Sequence, residues 1–254
     1  MNLLLPQITS YSSMSQQIRV SSEPWVAQNI FCPNCEHNSL DSLPNNSPVA
    51  DFKCNSCKEE YELKSKSGGL GRKITDGQYS TMIERIHSIN NPSFFFLTYD
   101  KGSRMVKNFI VIPKFYFTTS IIERRKPLSK RARRAGWVGC NIVMDKLPLS
   151  GRISYISDGV IQPKEKVRTM WNKTKFLSET ANVESKGWLL DIMECVEMIG
   201  EKQFNLSQVY AYRDYLQAKH PHNNNIEAKI RQQLQVLRDA GYIRFKERGV
   251  YCVT

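Results

Sequence analysis

The chain has 254 residues, long enough for one large domain or two modest ones whose cores need no disulfides. Lysine and arginine total 36 against 24 acidic residues, a formal charge of +12 that favours a polyanionic partner. No apolar stretch approaches the roughly 18 residues of a membrane helix, and the N-terminus lacks a basic signal-peptide flank. The seven cysteines are an odd number. These features predict no membrane span and a reducing, cytoplasmic location.

The first predicted element is a short helix that begins after residue 20. Ser22 is a good N-cap residue, and Pro24 suits the first turn of a helix. We expect this helix to lead directly into a cysteine-rich segment.

Two C-x2-C pairs follow, Cys32 with Cys35 and Cys54 with Cys57, and eighteen residues separate them. This spacing is typical of a zinc ribbon. Four thiolates complete a tetrahedron and leave no open position for a substrate, so the expected Zn²⁺ is structural. The alternative is four unrelated core thiols.

A second pattern overlaps the ribbon, with Pro48-Val49-Ala50-Asp51 before the second cysteine pair and Glu62-Leu63-Lys64 after it. It resembles the PD-(D/E)xK pattern of metal-dependent nucleases. Asp51, Glu62 and the Leu63 carbonyl could supply oxygen ligands for Mg²⁺, and on a strand Lys64 shares a face with Glu62. The alternative is an exposed charged strand.

The next segments predict a mixed sheet flanked by helices, an α/β (α+β) fold. The glycine-rich residues 67–73 predict a loop, and Asp76 could cap a helix that ends near His87. The apolar runs Phe94–Tyr99 and Val106–Ile112 predict a hairpin, and residues 151–156 could add a strand.

A basic run lies within this first domain. Seven of the eleven residues from Arg124 to Arg134 are basic, and a tryptophan follows closely. A solvated loop would look similar, but the adjoining apolar sequence favours a wall that contacts phosphates. The DNA-binding residues predicted here are Arg124, Arg125, Lys130, Arg131, Arg133, Arg134 and Trp137.

We predict a linker near residues 178–185, which divides the chain into domains 1–181 and 182–254. In the second domain, Trp188–Ile199 has the apolar spacing of a helix, and Asn205 or Ser207 could cap another. A third helix is expected over residues 226–240, followed by a two-stranded wing. Three helices and a wing describe a winged helix-turn-helix.

The third helix has one apolar side and one polar side. Its polar side and the wing suit contacts with DNA bases and phosphates, although a merely solvated helix would look similar. His220 and His222 are expected to be turn residues rather than metal ligands. The DNA-binding residues predicted in this domain are Asn224, Asn225, Lys229, Arg231, Gln232, Gln235 and Arg248.

Five segments together resemble the DpnI-type methyl-directed restriction endonucleases along nearly the whole chain: PVADFKCNSC, EYELKSKSG, NNPSFFFLTY, RRAGWVGCNI and IRQQLQVLRD. The resemblance implies a Mg²⁺-dependent nuclease that cuts double-stranded DNA at GATC only where the adenine carries an N6-methyl group. Carried over by position, it makes Asp51, Glu62 and Lys64 catalytic, and the four paired cysteines zinc ligands.

Two alternative functions stay open at this point. One is a non-catalytic regulator in which a zinc ribbon and a winged helix bind DNA, and the other is a related nuclease with a different modification specificity. The sequence leaves the oligomeric state undecided, with a monomer possible. We also hypothesise that both domains sense the methyl group, the first through Trp137 and the second through its third helix.

Overall fold

The computed structural model describes residues 1–7, 11, 13–44, 50–88, 91–180 and 183–254. The chain forms two compact units, Met1–Asp145 with Ser150–Thr174, and Lys146–Leu149 with Lys175–Thr254. Residues 181 and 182, where we predict the domain boundary, lie outside the described residues. None of the described helices is long and apolar enough to cross a bilayer.

The described residues of the first unit form a seven-stranded sheet, a three-stranded sheet and three α-helices. The large sheet has the order β1-β2-β3-β5-β6-β9-β10, and only its β3–β5 pair is parallel among the described strands. The small sheet has the order β4-β8-β7. The helices are α1 (Met14–Asn29), α2 (Tyr79–His87) and α3 (Lys164–Asn172), and the strands are β1 (Asp41–Ser42), β2 (Phe52–Lys53), β3 (Glu60–Ser67), β4 (Lys73–Gln78), β5 (Ser93–Tyr99), β6 (Val106–Ile112), β7 (Ile122–Arg124), β8 (Gly139–Val143), β9 (Ile153–Ser157) and β10 (Val160–Ile161).

The centre of the large sheet forms the core of this unit. Every residue of β5 is buried, which explains why its sequence is a continuous apolar run rather than an alternating one. Phe95 of β5 stacks on Tyr61 of β3 with ring centroids 4.5 Å apart. On α1, Trp25 meets Phe109 of β6 edge-on at 5.8 Å. The mixed sheet and the β5–β6 hairpin confirm the predicted α+β fold.

Two predicted helix starts are wrong. Helix α1 begins at Met14, so Ser22 and Pro24 lie inside it, and the Ser22 hydroxyl donates to the Arg19 carbonyl at 3.2 Å. Burial of Trp25 and neighbouring side chains against the sheet outweighs the break that Pro24 favours. Asp76 caps nothing, because it lies in β4 and α2 starts after Gln78.

The second unit has the predicted winged helix-turn-helix fold, with two refinements. The middle helix is divided into α5 and α6, and the wing contains a third strand, in the order β11-β13-β12. The Asn205 backbone N–H donates to Gln208 Oε1 at 2.7 Å, which places Asn205 at the start of α5. The elements are α4 (Val183–Ile199), β11 (Gln203–Asn205), α5 (Leu206–Tyr210), α6 (Arg213–Lys219), α7 (Ile226–Asp239), β12 (Ile243–Glu247) and β13 (Val250–Val253).

Candidate active site and zinc centre

A cavity of about 550 Å³ gathers the residues of the predicted nuclease pattern. Its lining includes Asp51, Glu62, Leu63 and Lys64, together with Arg19 and other residues of α1, β4 and β5. The contribution of α1 was not predicted, because its residues carry no nuclease motif. Pro48 and Val49, the start of the pattern, lie outside the described residues.

Lys64 lies between two carboxylates. Its ammonium is 2.6 Å from Glu62 Oε1 and 2.5 Å from Asp76 Oδ1. Arg85 of α2 donates to the other oxygen of Glu62 at 3.1 Å. Glu62 and Lys64 are therefore on the same side of β3, as their spacing predicts, and both are held by ion pairs.

Asp51 is tied to the same strand by backbone bonds. The Leu63 N–H donates to Asp51 Oδ2 at 2.7 Å, and the Asp51 N–H donates to the Tyr61 carbonyl at 2.9 Å. The N–H and C=O of one strand residue point to the same edge of the strand. The Leu63 carbonyl therefore faces the edge where Asp51 lies, beyond the point where β2 stops pairing with β3.

Burial and neighbouring charges together shift the pKa values of Glu62 and Lys64. Burial raises the pKa of the Glu62 carboxyl, and the charge of Lys64 opposes the shift without reversing it. Burial alone would lower the pKa of Lys64, but Glu62 and Asp76 raise it above its ordinary value. Lys64 therefore stays positively charged. The ionised form of Glu62 is stabilised by its cationic neighbours.

The four cysteines of the two pairs meet at one point, with their Sγ atoms all within 4.8 Å of one another. The Cys32–Cys57 and Cys35–Cys54 sulfur separations are both 3.5 Å. Four sulfurs about 2.3 Å from one zinc ion would be about 3.8 Å apart, so the cluster has nearly the size that tetrahedral zinc requires. The cluster therefore fits a structural Zn²⁺.

The two cysteine loops share one backbone geometry. In each loop a residue just after the second cysteine, Glu36 or Lys58, has a positive φ, 65° and 63° respectively. The N–H of that residue donates to the carbonyl of the first cysteine, Cys32 or Cys54, at 2.8 Å in both loops. Such matched turns place both sulfur atoms of a pair on one side, toward the point where the four sulfurs meet.

A tyrosine connects the cysteine cluster to β3. The buried Tyr61 hydroxyl lies 3.1 Å from Cys32 Sγ, and Tyr61 precedes Glu62 on β3. Helix α3 holds the first cysteine loop from outside, since Arg168 pairs with Glu36 at 2.9 Å. The cysteine cluster and the Glu62 carboxylate are therefore both connected to β3.

The predicted basic run forms a folded loop between β7 and β8. The Leu128 N–H donates to the Trp137 carbonyl at 2.9 Å, and the Gly136 N–H donates back to Leu128 at 3.1 Å. Among the described residues, none of its predicted phosphate contacts forms an ion pair with a carboxylate. The predicted phosphate contacts are all exposed: Arg124 at the end of β7, and Arg125, Lys130, Arg131, Arg133 and Arg134 in the loop.

Trp137 is half-buried at the base of this loop. The Arg134 guanidinium lies 4.8 Å from its ring centroid. The indole N–H is buried and has no hydrogen-bond partner among the described residues. A Cβ at Gly139 would lie 2.7 Å from the Trp137 ring, so only glycine lets the ring lie against the start of β8.

Helix α7 separates into the two faces that the sequence predicts. Ile226, Ile230, Leu234 and Leu237 are buried. Most of the predicted base and phosphate contacts are exposed; Lys229 is half-buried, with its ammonium 5.9 Å from the Trp188 ring centroid. The exposed residues are Asn224, Asn225, Arg231, Gln232, Gln235 and, in the wing turn, Arg248.

His220 follows the last residue of α6 and belongs to a partly buried network. Its ring stacks on Trp188 at 3.7 Å, and its Nε2 lies 2.7 Å from Asp191 Oδ2. Lys219 contacts the other oxygen of Asp191 at 2.6 Å. The network fixes the chain just before the polar loop that leads into α7.

The comparison with known families agrees with this geometry. The family model for DpnI, described as the Dam-replacing family, matches residues 1–180. The chain belongs to this family. The model for the Dam-replacing HTH domain matches residues 184–252, which covers the winged helix. The protein is therefore a DpnI-type, methylation-dependent restriction endonuclease with a DNA-binding helix-turn-helix domain at its C-terminal end.

Two residues that contact the predicted nuclease pattern, Asp76 and Arg85, were not predicted as site residues from the sequence. Both reach the site through tertiary contacts, one from β4 and one from α2. The sequence signal for Asp76 is its spacing from Ile74. Asp76 lies two residues after this apolar residue, so on a strand both side chains point to the same side, which is the buried side of β4.

Proposed function

We propose that this enzyme hydrolyses phosphodiester bonds of double-stranded DNA at GATC sites that carry N6-methyladenine, and that it requires Mg²⁺. The observation that carries the reaction class is the convergence of Asp51, Glu62 and Lys64 on one cavity. Membership of the Dam-replacing family supports the methylated target. We keep a cytoplasmic location as part of this proposal, because none of the seven cysteines, all of which the structure describes, forms a disulfide.

The oxygen atoms in the cavity suit a hard cation. Asp51, Glu62 and the Leu63 carbonyl would hold Mg²⁺, which when bound polarises the phosphate and lowers the pKa of a ligated water. Lys64 stabilises the negative charge that develops on the phosphate oxygens. The ion pairs of Lys64 hold its ammonium in place before DNA arrives.

Zn²⁺ has a separate, structural role in the proposal. Cys32, Cys35, Cys54 and Cys57 would occupy all four positions of the ion, so it offers no site for water or substrate. The metal would fix the two loops on either side of β2, and with them Asp51 and the start of β3.

Two exposed surfaces would contact DNA. In the first unit, the cations of the β7–β8 loop would contact phosphates and Trp137 would meet the methyl group. In the second unit, Asn225, Gln232 and Gln235 of the α7 segment could contact base edges in the major groove, with Arg248 of the wing on a phosphate.

Discrimination by a single methyl group is intrinsically small. One buried methyl contributes about 0.8 kcal/mol, or about fourfold in affinity. Two independent contacts would multiply their preferences, which is why we propose a methyl contact in each domain.

Replacing Trp137 with alanine is expected to lower the preference for methylated over unmethylated DNA by about fourfold or more, because the apolar surface for one methyl is lost. The measurement is the ratio of kcat/KM on two duplexes that differ only in adenine methylation. Trp137→Phe keeps an apolar ring and is the matched control. An unchanged ratio in Trp137→Ala would remove Trp137 from methyl recognition.

The proposed function is tested by digesting one plasmid, prepared with and without adenine methylation at GATC, in Mg²⁺ and then in EDTA. Cutting of the methylated form alone, abolished by EDTA, is the expected result. Cutting of both forms would retain the nuclease and reject the methylated target. Absence of cutting in either form would instead favour a DNA-binding regulator.

A further inference from the structure

Asp76 contacts the catalytic lysine without lining the cavity. Its side chain is only 4% exposed, and its Oδ1 lies 2.5 Å from the Lys64 ammonium. Glu62 and Lys64 border the cavity, whereas Asp76 is not among the lining residues. Asp76 therefore supports Lys64 from the side away from the space where DNA would enter.

A local irregularity of β4 directly follows Asp76. The pairing of β4 with β8 shifts between Asp76, which faces Cys140, and Gln78, which faces Gly139, so Gly77 is an extra residue in β4. Bulges of this kind are common next to active sites. The Gly77 N–H donates to Asp76 Oδ1 at 2.6 Å, which fixes that oxygen against Lys64.

The charges around Lys64 give Asp76 a distinct role. Glu62 is bound by both Lys64 and Arg85, at 2.6 and 3.1 Å, and it is also a proposed Mg²⁺ ligand. A carboxylate that binds a cation weakens its pairing with an ammonium group. Asp76 Oδ2 has no hydrogen-bond partner among the described residues. The carboxylate of Asp76 can therefore accept a further hydrogen bond from Lys64.

We propose that Asp76 is a positioning residue of the nuclease, which keeps the Lys64 ammonium in place when Glu62 exchanges its ion pair for Mg²⁺. The inference rests on the proposed function and deepens it. Without Asp76, Lys64 would have Glu62 as its carboxylate partner and would compete with the metal for it. With Asp76 present, Glu62 can bind the metal while Asp76 keeps Lys64 in position.

The test is Asp76→Asn in the full chain, since asparagine keeps the shape and can still accept the Gly77 N–H. We expect kcat to fall by about 10- to 100-fold, the cost of a misplaced catalytic group, with KM for methylated DNA unchanged. Mg²⁺ affinity measured by calorimetry should fall by severalfold, because Lys64 then competes for Glu62. Asp158→Asn is the matched control, at an exposed turn whose φ of 46° asparagine tolerates.

A second background tests whether Asp76 acts through the lysine. In Lys64→Met the competing ammonium is absent, so most of the effect of Asp76→Asn on Mg²⁺ affinity should disappear. An equal loss of affinity in both backgrounds would mean that Asp76 acts on the metal directly, and would overturn the proposal. Wild-type kcat and Mg²⁺ affinity in Asp76→Asn would also overturn it, even if the melting temperature changed.

These outcomes are separable from failure of the proposed function. If the wild-type enzyme does not cut methylated DNA, the nuclease assignment itself fails. If the wild-type enzyme cuts and Asp76→Asn cuts equally well, only the role of Asp76 is rejected.

Discussion

Glu62→Gln is expected to lower the rate of DNA cleavage by at least about 10²- to 10³-fold. The rate falls because a neutral amide is a poor ligand for Mg²⁺. Glutamine keeps the shape of the side chain but breaks the ion pairs of Glu62 with Lys64 and Arg85, at 2.6 and 3.1 Å. We therefore expect the melting temperature at neutral pH to fall, because two largely buried cations lose this partner.

Glu60→Gln is the matched control for this prediction. Glu60 is on the same strand and the same side as Glu62, but it pairs with Lys53 at 3.0 Å. Cleavage at the wild-type rate in Glu60→Gln, with loss in Glu62→Gln, would assign the effect to one carboxylate. DNA binding measured in EDTA should be equal in both variants, and a wild-type rate in Glu62→Gln would contradict the active site.

Cys54→Ser is expected to destabilise the first unit severely, because a complete zinc site contributes its binding free energy to folding. The four sulfur atoms meet within 4.8 Å, so loss of one leaves an incomplete tetrahedron. A loss of about 4 kcal/mol would lower Tm by about 10 °C for a chain of this size. The measurements are zinc content by elemental analysis and Tm by calorimetry, with and without a chelator.

Cys252→Ser is the control for zinc loss. Cys252 is a buried thiol of β13 that lies outside the cysteine cluster. It should retain one zinc per chain and show only the modest destabilisation of a buried polar substitution, about 1–3 kcal/mol. If Cys54→Ser also retained zinc and stability, the cluster would be four core thiols and not a metal site.

Much of the site could be predicted from the sequence because its motifs are compact. The two C-x2-C pairs require only a tight turn, and their neighbours supply it. Glu62 and Lys64 share a side of β3 because the period of a strand is two residues. The core face of α7 follows from helical spacing in the same way.

Predictions from local propensity were wrong where tertiary packing determined the secondary structure. Ser22 and Pro24 favour a helix start, but α1 extends through them because its side chains pack on the sheet. Asp76 is a good cap residue, yet pairing of β4 with β8 places it in a strand. In both cases burial over many contacts outweighed a preference of about 1 kcal/mol.

The sequence by itself determined which residues could bind zinc, which carboxylates and lysine could form a nuclease site, and where the winged helix lies. Only the tertiary structure decided what surrounds them. Arg19, Asp76 and Arg85 come from three separate elements, and their approach to β3 depends on helix packing and strand pairing. Such contacts join residues distant in the chain, so no local period or spacing in the sequence encodes them.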